Sequence, residues 1–343
     1  MIRFGVIGYG YWGPNLVRNI AETKGAEIAT VSDLRPERLA LAKKRYPAIT
    51  VTTDNRELVH DPNVDVVVIS TPVNTHFRLA LEALQMGKHV VIEKPIAASS
   101  EEALRLIEAA EARNLQIMVD HTFVYSGSVR KIKELIDSGS LGKLYYYDSV
   151  RVNLGLFQPD VSVIWDLAVH DLAIMDYVLG KQPVAVFATG LSHVEGRPEN
   201  IAYITMLFQE PVIAHLHVNW LSPVKVRRTL IGGSEKMVVY DDMEATEKVK
   251  IYDHGITLTP DTESLYQKLV GYRMGDVLIP KLDGTESLSA EFQHYVHCLE
   301  TGERVRTDGQ AGLRVVQILE AATRSVRERG RLVELERTES VAI

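Results

Sequence analysis

The first 120 residues alternate between short apolar, β-branched runs and longer amphipathic stretches. The apolar runs are residues 2–7, 27–32, 64–70, 89–92 and 116–119, and the helix-like stretches are 13–23, 36–45, 75–86 and 99–113. Short buried strands separated by amphipathic helices are typical of βαβ units. The pattern therefore predicts an α/β domain over residues 1–120 with a doubly wound parallel sheet.

The pattern changes after residue 120, where strands follow one another without helices between them. Strands are predicted at residues 185–189, 201–208, 212–220, 227–231, 236–240 and 247–251, and helices at 125–136, 166–179, 287–299 and 311–329. Gly, Pro, Asn and Asp clusters separate the strands, which favours an antiparallel meander. Residues 121–343 are predicted to form an α+β domain with a large open, mostly antiparallel sheet, whose last helix can pack back on the first domain. Residues 253–284 are predicted to be a loop that covers part of the protein.

Composition excludes several classes of function. The formal net charge of −7 argues against a nucleic-acid or membrane-surface binder, which usually carries basic patches. The single cysteine, Cys298, lies in an apolar helix and is predicted to be a buried thiol. The start of the chain does not resemble a signal peptide, and no apolar run is long enough to span a membrane, so a cytoplasmic location is expected.

A glycine-rich loop follows the first predicted strand and opens the first helix. Gly8, Gly10 and Gly13 form a G-x-G-x-x-G motif, with Tyr9, Tyr11 and Trp12 between them. The glycines allow a tight turn, close approach of a pyrophosphate and close packing of helix on strand. The helix N-terminus then offers N–H groups to phosphates. These residues predict a dinucleotide site, and a turn without a ligand is the alternative.

Asp33 ends the second strand twenty residues after Gly13, where an acid can bind the adenosine ribose hydroxyls. A carboxylate there repels a 2′-phosphate and favours NAD over NADP. Arg35 and Arg38 lie close in sequence, and Arg35 is kept as a candidate cofactor contact. Both arginines can instead be solvated residues at the start of a helix.

A second group of polar residues follows the strand at residues 64–70. Thr71 and Pro72 end that strand, and Asn74 and His76 come directly after it. Ligands of a doubly wound sheet bind at the carboxyl ends of its strands, so these residues are candidate cofactor contacts. For His76, capping or packing of the next helix is an equal alternative.

Glu93-Lys94-Pro95 follows the next strand, on the edge where a nicotinamide is expected. The Lys94 ammonium can donate a hydrogen bond to a substrate oxygen and stabilise alkoxide-like charge. Pro95 restricts the turn and so fixes how Lys94 projects. Lys94 is therefore a candidate for catalysis, substrate binding and cofactor binding, and Glu93 for cofactor binding. An ordinary surface lysine is the alternative.

Asp166 and His170 are four residues apart on a predicted helix, so their side chains share one face. The carboxylate can orient the imidazole, which then accepts a hydroxyl proton as a general base. A structural pair is the alternative, and a metal site lacks a further ligand. Asp171 is expected to point elsewhere and to pair at the surface.

These motifs together resemble the Gfo/Idh/MocA oxidoreductase family over nearly the whole chain. The resemblance is carried by GVIGYGYWG, STPVNTH, GKHVVIEKP, WDLAVHDLAIMDYVLG and ETGERVRTDGQAGLRVVQILEAA. It implies a Rossmann domain followed by an α/β domain with a large open sheet, through which such proteins form dimers or tetramers. It maps the catalytic residues of the family onto Lys94, Asp166 and His170, and implies a cis Lys94–Pro95 bond and no metal.

Two segments, RVNLGLFQPDVSVIWDL and HVNWLSPVKVRR, look most like family members that oxidise nucleotide-linked amino sugars. The resemblance implies UDP-N-acetylglucosamine or its uronic acid, oxidised at the 3-hydroxyl. Candidate substrate contacts besides the catalytic residues are Tyr125, Arg151, Asn153 and Trp165, with Lys225, Arg227, Arg228 and Trp220 as further possibilities. Sheet packing or solvated charge is the alternative for each.

The expected mechanism places Lys94, Asp166 and His170 beside one nicotinamide. His170 withdraws the hydroxyl proton while Lys94 supports the developing alkoxide and hydride leaves the same carbon. A dehydrogenase of free sugars or inositols, an NAD-dependent glycoside hydrolase and a non-catalytic NAD-binding sensor remain alternatives.

Overall fold

A computed structural model describes residues 1–155, 161–258 and 270–335. The strands are β1 Ile2–Ile7, β2 Ala26–Ser32, β3 Thr50–Thr52, β4 Val66–Ile69, β5 His89–Glu93, β6 Ile117–Asp120, β7 Leu144–Leu154, β8 Ala185–Leu191, β9 Ile201–Leu207, β10 Ile213–Asn219, β11 Leu221–Gly233, β12 Met237–Asp241, β13 Val249–Tyr252, β14 Gly255–Leu258, β15 Val270–Arg273, β16 Val277–Leu278 and β17 Val333–Glu334. The α-helices are α1 Gly13–Glu22, α2 Pro36–Arg45, α3 Asn55–His60, α4 His76–Gln85, α5 Ser100–Glu111, α6 Gly127–Asp137, α7 Val169–Leu179, α8 Ser287–Thr301 and α9 Gly309–Arg327.

The chain forms two compact units. The first comprises Met1–Ser126 and Gly284–Glu320, and the second comprises Gly127–Asp283 and Ala321–Ile343. The sequence pattern placed one boundary near residue 120 and assigned residues 121–343 to a second domain, with its last helix able to pack back on the first. In the structure, residues 284–320 belong to the first unit, because apolar side chains of α8 complete the core of that unit.

The first unit is built on a parallel sheet with the strand order β3-β2-β1-β4-β5-β6. Its strands are almost wholly apolar, as expected for a sheet covered on both faces. Phe4 of β1 packs edge-on against Phe292 and Tyr295 of α8, with ring centroids 6.1 and 6.5 Å apart. Helix α5 begins where Ser99 Oγ accepts the Glu102 N–H at 3.2 Å. The doubly wound sheet predicted from the sequence is confirmed.

The second unit is built on a mixed sheet with the order β16-β13-β12-β11-β7-β10-β9-β8-β17 in the described residues. Its neighbouring strands are antiparallel except for β7 and β10, which run parallel. Strand β7 enters the sheet between β11 and β10, so the sheet is not a pure meander. The prediction of a large, mostly antiparallel sheet is confirmed.

The two faces of this second sheet differ because residues alternate along each strand. Tyr147, Ser149 and Arg151 of β7 are buried. Helix α7 lies on their side, where the Tyr147 hydroxyl donates to the Asp171 carbonyl at 3.3 Å. Tyr203 and Ile213 lie on the opposite side and are exposed. The second unit therefore has one helix-covered face and one open face.

Three local predictions differ from the structure. Residues 253–284 were predicted as a loop, yet β14, β15 and β16 lie there, with residues 259–269 outside the described residues. The helix predicted at 125–136 begins at Gly127, because Thr122–Tyr125 forms a separate 3-10 turn. The helix predicted at 166–179 begins with a π-helical turn, Ile164–Ala168. Within the described residues, no helix is long and apolar enough to cross a membrane.

Candidate active site

The glycine loop of the first unit connects β1 to α1 in a tight turn. Gly8 has a φ of 100°, and a Cβ there would lie 2.2 Å from the Ser70 carbonyl oxygen. A Cβ on Gly13 would lie 2.2 Å from the Gly8 carbonyl oxygen. At Gly10 the nearest atom to a Cβ is the Arg35 guanidinium at 3.5 Å, an ordinary van der Waals contact, so the protein alone leaves room for a side chain there. No side chain caps the N-terminus of α1. The loop thus fits a pyrophosphate held by backbone N–H groups.

Asp33 lies at the end of β2 and is almost completely buried. Its Oδ2 accepts the Tyr9 N–H at 2.8 Å, and Arg35 forms a two-pronged pair with it at 2.9 and 3.0 Å. Burial raises the pKa of Asp33, but the hydrogen bonds from Arg35 and Tyr9 outweigh burial and hold the pKa below its ordinary value. Asp33 is therefore a carboxylate that fixes the backbone of the glycine loop.

The three aromatic side chains of the loop point in different directions. Tyr9 is buried in the core of the first unit, whereas Tyr11 is 95% exposed. The Trp12 indole N–H donates to Asp120 Oδ2 at 2.9 Å, which links the loop to the end of β6. Tyr9 therefore contributes only its backbone to the surface of the loop, and its side chain packs in the core of the first unit.

The residues after β4 form a short turn, which is connected through the His76 side chain to the turn after β5. Pro72 and Asn74 are exposed, and the hydroxyls of Thr71 and Thr75 lie 2.6 Å apart. His76 is buried, with Nε2 2.8 Å from the Thr71 carbonyl and Nδ1 2.9 Å from the Pro95 carbonyl. Burial lowers the pKa of His76, although both carbonyls oppose it. His76 therefore joins the turns at the carboxyl ends of β4 and β5.

Lys94 directly follows β5 at the carboxyl edge of the parallel sheet. The Lys94–Pro95 peptide bond is cis, as the resemblance implied. The Lys94 N–H donates to the carboxyl group of Glu93, with its Oε2 at 3.1 Å. Glu93 and Lys94 are both partly buried. The glycine loop, Asp33 and Lys94 therefore all lie at the ends of strands in the first unit, where doubly wound sheets bind ligands.

Asp166 and His170 belong to the second unit and occupy two kinds of helix. Asp166 lies in the π-helical turn, and His170 lies in the first turn of α7. The wider turn changes the alignment that an uninterrupted α-helix would give them, and π turns are frequent at functional sites. Asp166 Oδ2 accepts the indole N–H of the buried Trp220 at 3.3 Å, which fixes one of its oxygens.

Several residues that were predicted to contact the substrate are buried and contact other residues of the protein. Arg151 is buried in a two-pronged ion pair with Asp171, at 2.7 and 3.1 Å, so Asp171 pairs in the interior and not at the surface. Tyr125 is buried in the first unit, and its hydroxyl lies 3.0 Å from Thr307 Oγ1. Neither side chain has an open face for a sugar. Trp220 is buried as well.

The remaining predicted contacts keep some exposure. The Trp165 indole N–H donates to Thr323 Oγ1 at 2.9 Å, and the ring is partly exposed. Asn153 on β7 is also partly exposed. Arg227 pairs with Asp242 at 3.3 Å, while Lys225 and Arg228 are exposed. Residues 156–160, inside the segment that suggested a nucleotide sugar, lie outside the described residues.

The sequence analysis overlooked two acids beside the dinucleotide loop. Asp120 ends β6, as Asp33 ends β2, but its strand was predicted to stop one residue earlier. Glu291 is fully buried in α8, on the apolar stripe of Leu288, Phe292 and Tyr295. An acid at a stripe position was the signal that could have revealed it. Among the described residues, no group of three His, Cys, Asp or Glu side chains is arranged to hold a metal ion.

Comparison with known proteins extends this picture. Residues 2–121 match the model of the Gfo/Idh/MocA oxidoreductase family that describes its NAD-binding Rossmann fold, and residues 129–239 match the model of the Gfo/Idh/MocA C-terminal domain. An uncharacterized oxidoreductase of Escherichia coli (strain K12), YdgJ, is 30% identical over 303 residues, which cover 83% of this chain and 82% of that protein.

Characterised relatives act on different substrates. The UDP-N-acetylglucosamine 3-dehydrogenase of Acidithiobacillus ferrooxidans is 28% identical over 92% of this chain and 94% of its own length. Its crystal structure superimposes with a TM-score of 0.79, covering 95% of this chain and 98% of that one, at 27% identity. The myo-inositol 2-dehydrogenase of Thermotoga maritima is 24% identical over 98% of this chain and 99% of its own length.

The matched Rossmann model covers the part of the chain that contains the glycine loop, the acid after β2 and the lysine after β5. The chain belongs to the Gfo/Idh/MocA family and is an NAD-binding oxidoreductase with an N-terminal Rossmann domain.

Proposed function

We propose that the protein transfers a hydride between NAD and a sugar carbinol, and that its substrate is a nucleotide sugar of the UDP-N-acetylglucosamine type or its uronic acid, oxidised at the 3-hydroxyl. One observation carries the proposal of hydride transfer. A glycine loop whose backbone is held by Asp33, and a lysine at the carboxyl edge of the same sheet, occur in one unit. The 28% identity to a UDP-N-acetylglucosamine 3-dehydrogenase supports the choice of sugar.

The residues that would hold the cofactor follow from the contacts of the loop. Gly10 and the start of α1 would receive the pyrophosphate, and Asp33 the adenosine ribose. Both oxygens of Asp33 are occupied by Arg35 and Tyr9, but the Arg35 side chain is about half exposed. Displacing Arg35 frees acceptor positions for the ribose hydroxyls, and the negative charge that remains disfavours a 2′-phosphate.

Three side chains would carry out the proton chemistry. The nicotinamide, when bound, accepts or supplies the hydride. The ammonium of Lys94 donates a hydrogen bond to the substrate oxygen and stabilises its developing charge. His170 accepts the hydroxyl proton, and Asp166, with one oxygen held by Trp220, supports the imidazolium that forms. Asp166 is in this scheme a positioning residue.

NAD+ reduction measured by nicotinamide absorbance tests this function. We expect turnover with UDP-N-acetylglucosamine or its uronic acid and not with myo-inositol. Lys94→Ala and His170→Ala should each lower turnover about a hundredfold or more while NADH binding persists. The double variant should lose little more than either single variant, because the two groups serve one step. Lys24→Ala and His297→Ala, which change exposed residues, are the controls. Full turnover in both catalytic variants would contradict the assignment.

A second candidate is an inositol dehydrogenase, favoured by the 24% identity to a myo-inositol 2-dehydrogenase along nearly the whole chain. The same assay separates the two, since turnover with myo-inositol alone selects this candidate. Glycoside cleavage without net consumption of NAD+ would instead indicate a hydrolase. Binding of NADH and sugar without any redox change would indicate a sensor.

A further inference from the structure

The carboxylate of Asp120 at the end of β6 accepts two hydrogen bonds and lies beside two other acids. Asp120 is 3% exposed. Its Oδ2 accepts the Trp12 indole N–H at 2.9 Å, and its Oδ1 accepts the Thr122 hydroxyl. Glu93 lies opposite Asp120 in the pairing of β5 with β6, and Asp120 raises the pKa of both Glu93 and Glu291, so the three acids lie close together. Three carboxyl groups thus meet in the interior of the first unit, beside the dinucleotide loop.

Glu291 cannot be a stable carboxylate in this place. Its side chain is fully buried, and neither oxygen receives a hydrogen bond from an N–H or O–H donor in the described residues. The Thr122 hydroxyl donates to Asp120, and it also lowers the pKa of Glu291, but burial and the neighbouring acids outweigh this effect. An ion buried without donors, beside two other acids, is strongly unfavourable. Burial, then Asp120 and Glu93, raise the pKa of Glu291 well above its ordinary value. Glu291 is therefore neutral and has a proton to donate.

Glu93 is in a similar position. Burial, followed by Asp120, raises its pKa well above the ordinary value, although Lys94 opposes this shift. A neutral Glu93 also donates to Asp120, while its Oε2 accepts the Lys94 N–H at 3.1 Å. An ionised carboxylate has about four acceptor positions. Trp12 and Thr122 fill two of them, and protonated Glu93 and Glu291 would fill the other two.

We propose that neutral Glu291 and Glu93 are positioning residues, which hold the Asp120 carboxylate so that it ties Trp12 of the dinucleotide loop to the turn carrying Lys94. Trp12 immediately precedes α1, whose N-terminus would receive the pyrophosphate. Glu93 immediately precedes Lys94. The acid group therefore connects the cofactor loop to the lysine turn within one unit, and both connections depend on the two protons.

Loss of either proton would place a second negative charge against Asp120 and remove one of its donors. The other ionisable groups facing this acid group, from every element packed against it, are Lys94, His121, Tyr125, Arg306 and Arg314. The cofactor loop is therefore expected to loosen as pH rises through the pKa of Glu291. This inference depends on NAD binding and not on the identity of the sugar.

Infrared spectroscopy of the protein without cofactor tests the protonation. Near neutral pH we expect a carbonyl band of a protonated carboxylic acid, part of which disappears in Glu291→Gln. Glu300→Gln is the matched control, because it removes an exposed acid from the same helix and should leave the band unchanged. Equal spectra of Glu291→Gln and the unsubstituted protein would overturn the proposal.

NADH titration across neutral and alkaline pH tests the positioning role. Trp12→Phe keeps the ring but removes the donor, and we expect about five- to tenfold weaker NADH binding. Glu291→Leu should have an effect of the same size. Glu291→Gln, whose amide still donates to Asp120, should retain affinity near neutral pH and lose the alkaline decline of the unsubstituted protein. If Glu291→Leu fails to fold, Trp12→Phe and Glu291→Gln decide. An alkaline decline that persists in Glu291→Gln, or unchanged affinity in Trp12→Phe, would overturn the inference.

Discussion

His121 directly follows Asp120, and its burial determines the protonation state of its imidazole. It is 3% exposed, and neither ring nitrogen has a hydrogen-bond partner in the described residues. Burial lowers the pKa of His121 to about 4; Asp120 opposes the shift, and Lys94 and Arg314 reinforce it. The folded protein therefore holds this imidazole neutral where the unfolded chain would protonate it.

This burial predicts a dependence of stability on acid. Between pH 6.5 and about 4 the unfolded chain binds a proton at His121 that the folded protein does not, so stability falls as pH decreases through this window. His121→Phe should remove up to about 3 kcal/mol of that decline, as measured by urea unfolding at several pH values. His297→Ala, at an exposed position, should leave the slope unchanged. An equally steep decline in His121→Phe would contradict the prediction.

The position of a single residue in the fold could be predicted where a local pattern constrained it, while the roles of the site residues stay predictions. Asp33 was identified because its spacing from the glycine loop fixes its place in a βαβ unit. Arg151 was misassigned because its partner, Asp171, lies on a helix twenty residues away in the chain. A tertiary ion pair of this kind leaves no periodic signal, so an arginine in the interior looked like a ligand contact.

At the scale of secondary-structure elements, the glycines in the turn between β1 and α1 have two different roles. A methyl group at Gly13 would collide with the Gly8 carbonyl, whereas one at Gly10 has room in the protein alone. Gly13 is therefore required by the fold, and Gly10 by whatever approaches the loop.

We expect Gly13→Ala to lower the free energy of unfolding by about 1–3 kcal/mol, because the loop must shift. Gly10→Ala should leave unfolding nearly unchanged but weaken NADH binding about tenfold or more. Gly284→Ala, where a Cβ meets nothing within 4 Å, is the control. Urea unfolding and NADH titration of the three variants check these expectations. Equal loss of stability in Gly10→Ala and Gly13→Ala would refute the distinction.

The sequence predicted the bounds of helices and strands well where apolar residues recur at a regular period. Each exception has a cause in the local sequence. Strand β3 has only three residues, too few to show alternation. The π-helical turn at Ile164–Ala168 was invisible, because an apolar stretch has the same composition in either helix. Strands β14 to β16 were missed where turn residues interrupt every apolar run.

For the whole molecule, the open face of the second sheet is the feature that bears on assembly. Its side chains come from neighbouring positions on five strands: Phe187, Tyr203, Leu207, Ile213, Tyr146, Val150 and Leu230. Tyr203 and Ile213 are 42% and 45% exposed. Polar residues such as Asp148, Thr205 and His215 lie between them. Exposed apolar side chains bordered by polar ones often mark contacts between proteins.

We predict that this face mediates a homodimer or homotetramer, which analytical ultracentrifugation measures directly. Ile213→Lys should shift the protein to a smaller species, because a buried charge without a partner disfavours association. Leu41→Lys changes an exposed apolar residue of α2 and should preserve the assembly. A monomeric unsubstituted protein, or an assembly unaffected by Ile213→Lys, would contradict this prediction.

The return of residues 284–320 to the nucleotide-binding unit has a practical consequence. Val119 donates to the Thr307 carbonyl at 2.8 Å, and Phe292 and Tyr295 fill the core under β1. In a chimera that took only the first 126 residues from a relative, the parallel sheet would come from the relative. The helices that pack against that sheet would still come from this protein. Transplanting this unit requires three junctions, after residues 126, 283 and 320, so that both of its stretches of chain come from the same parent.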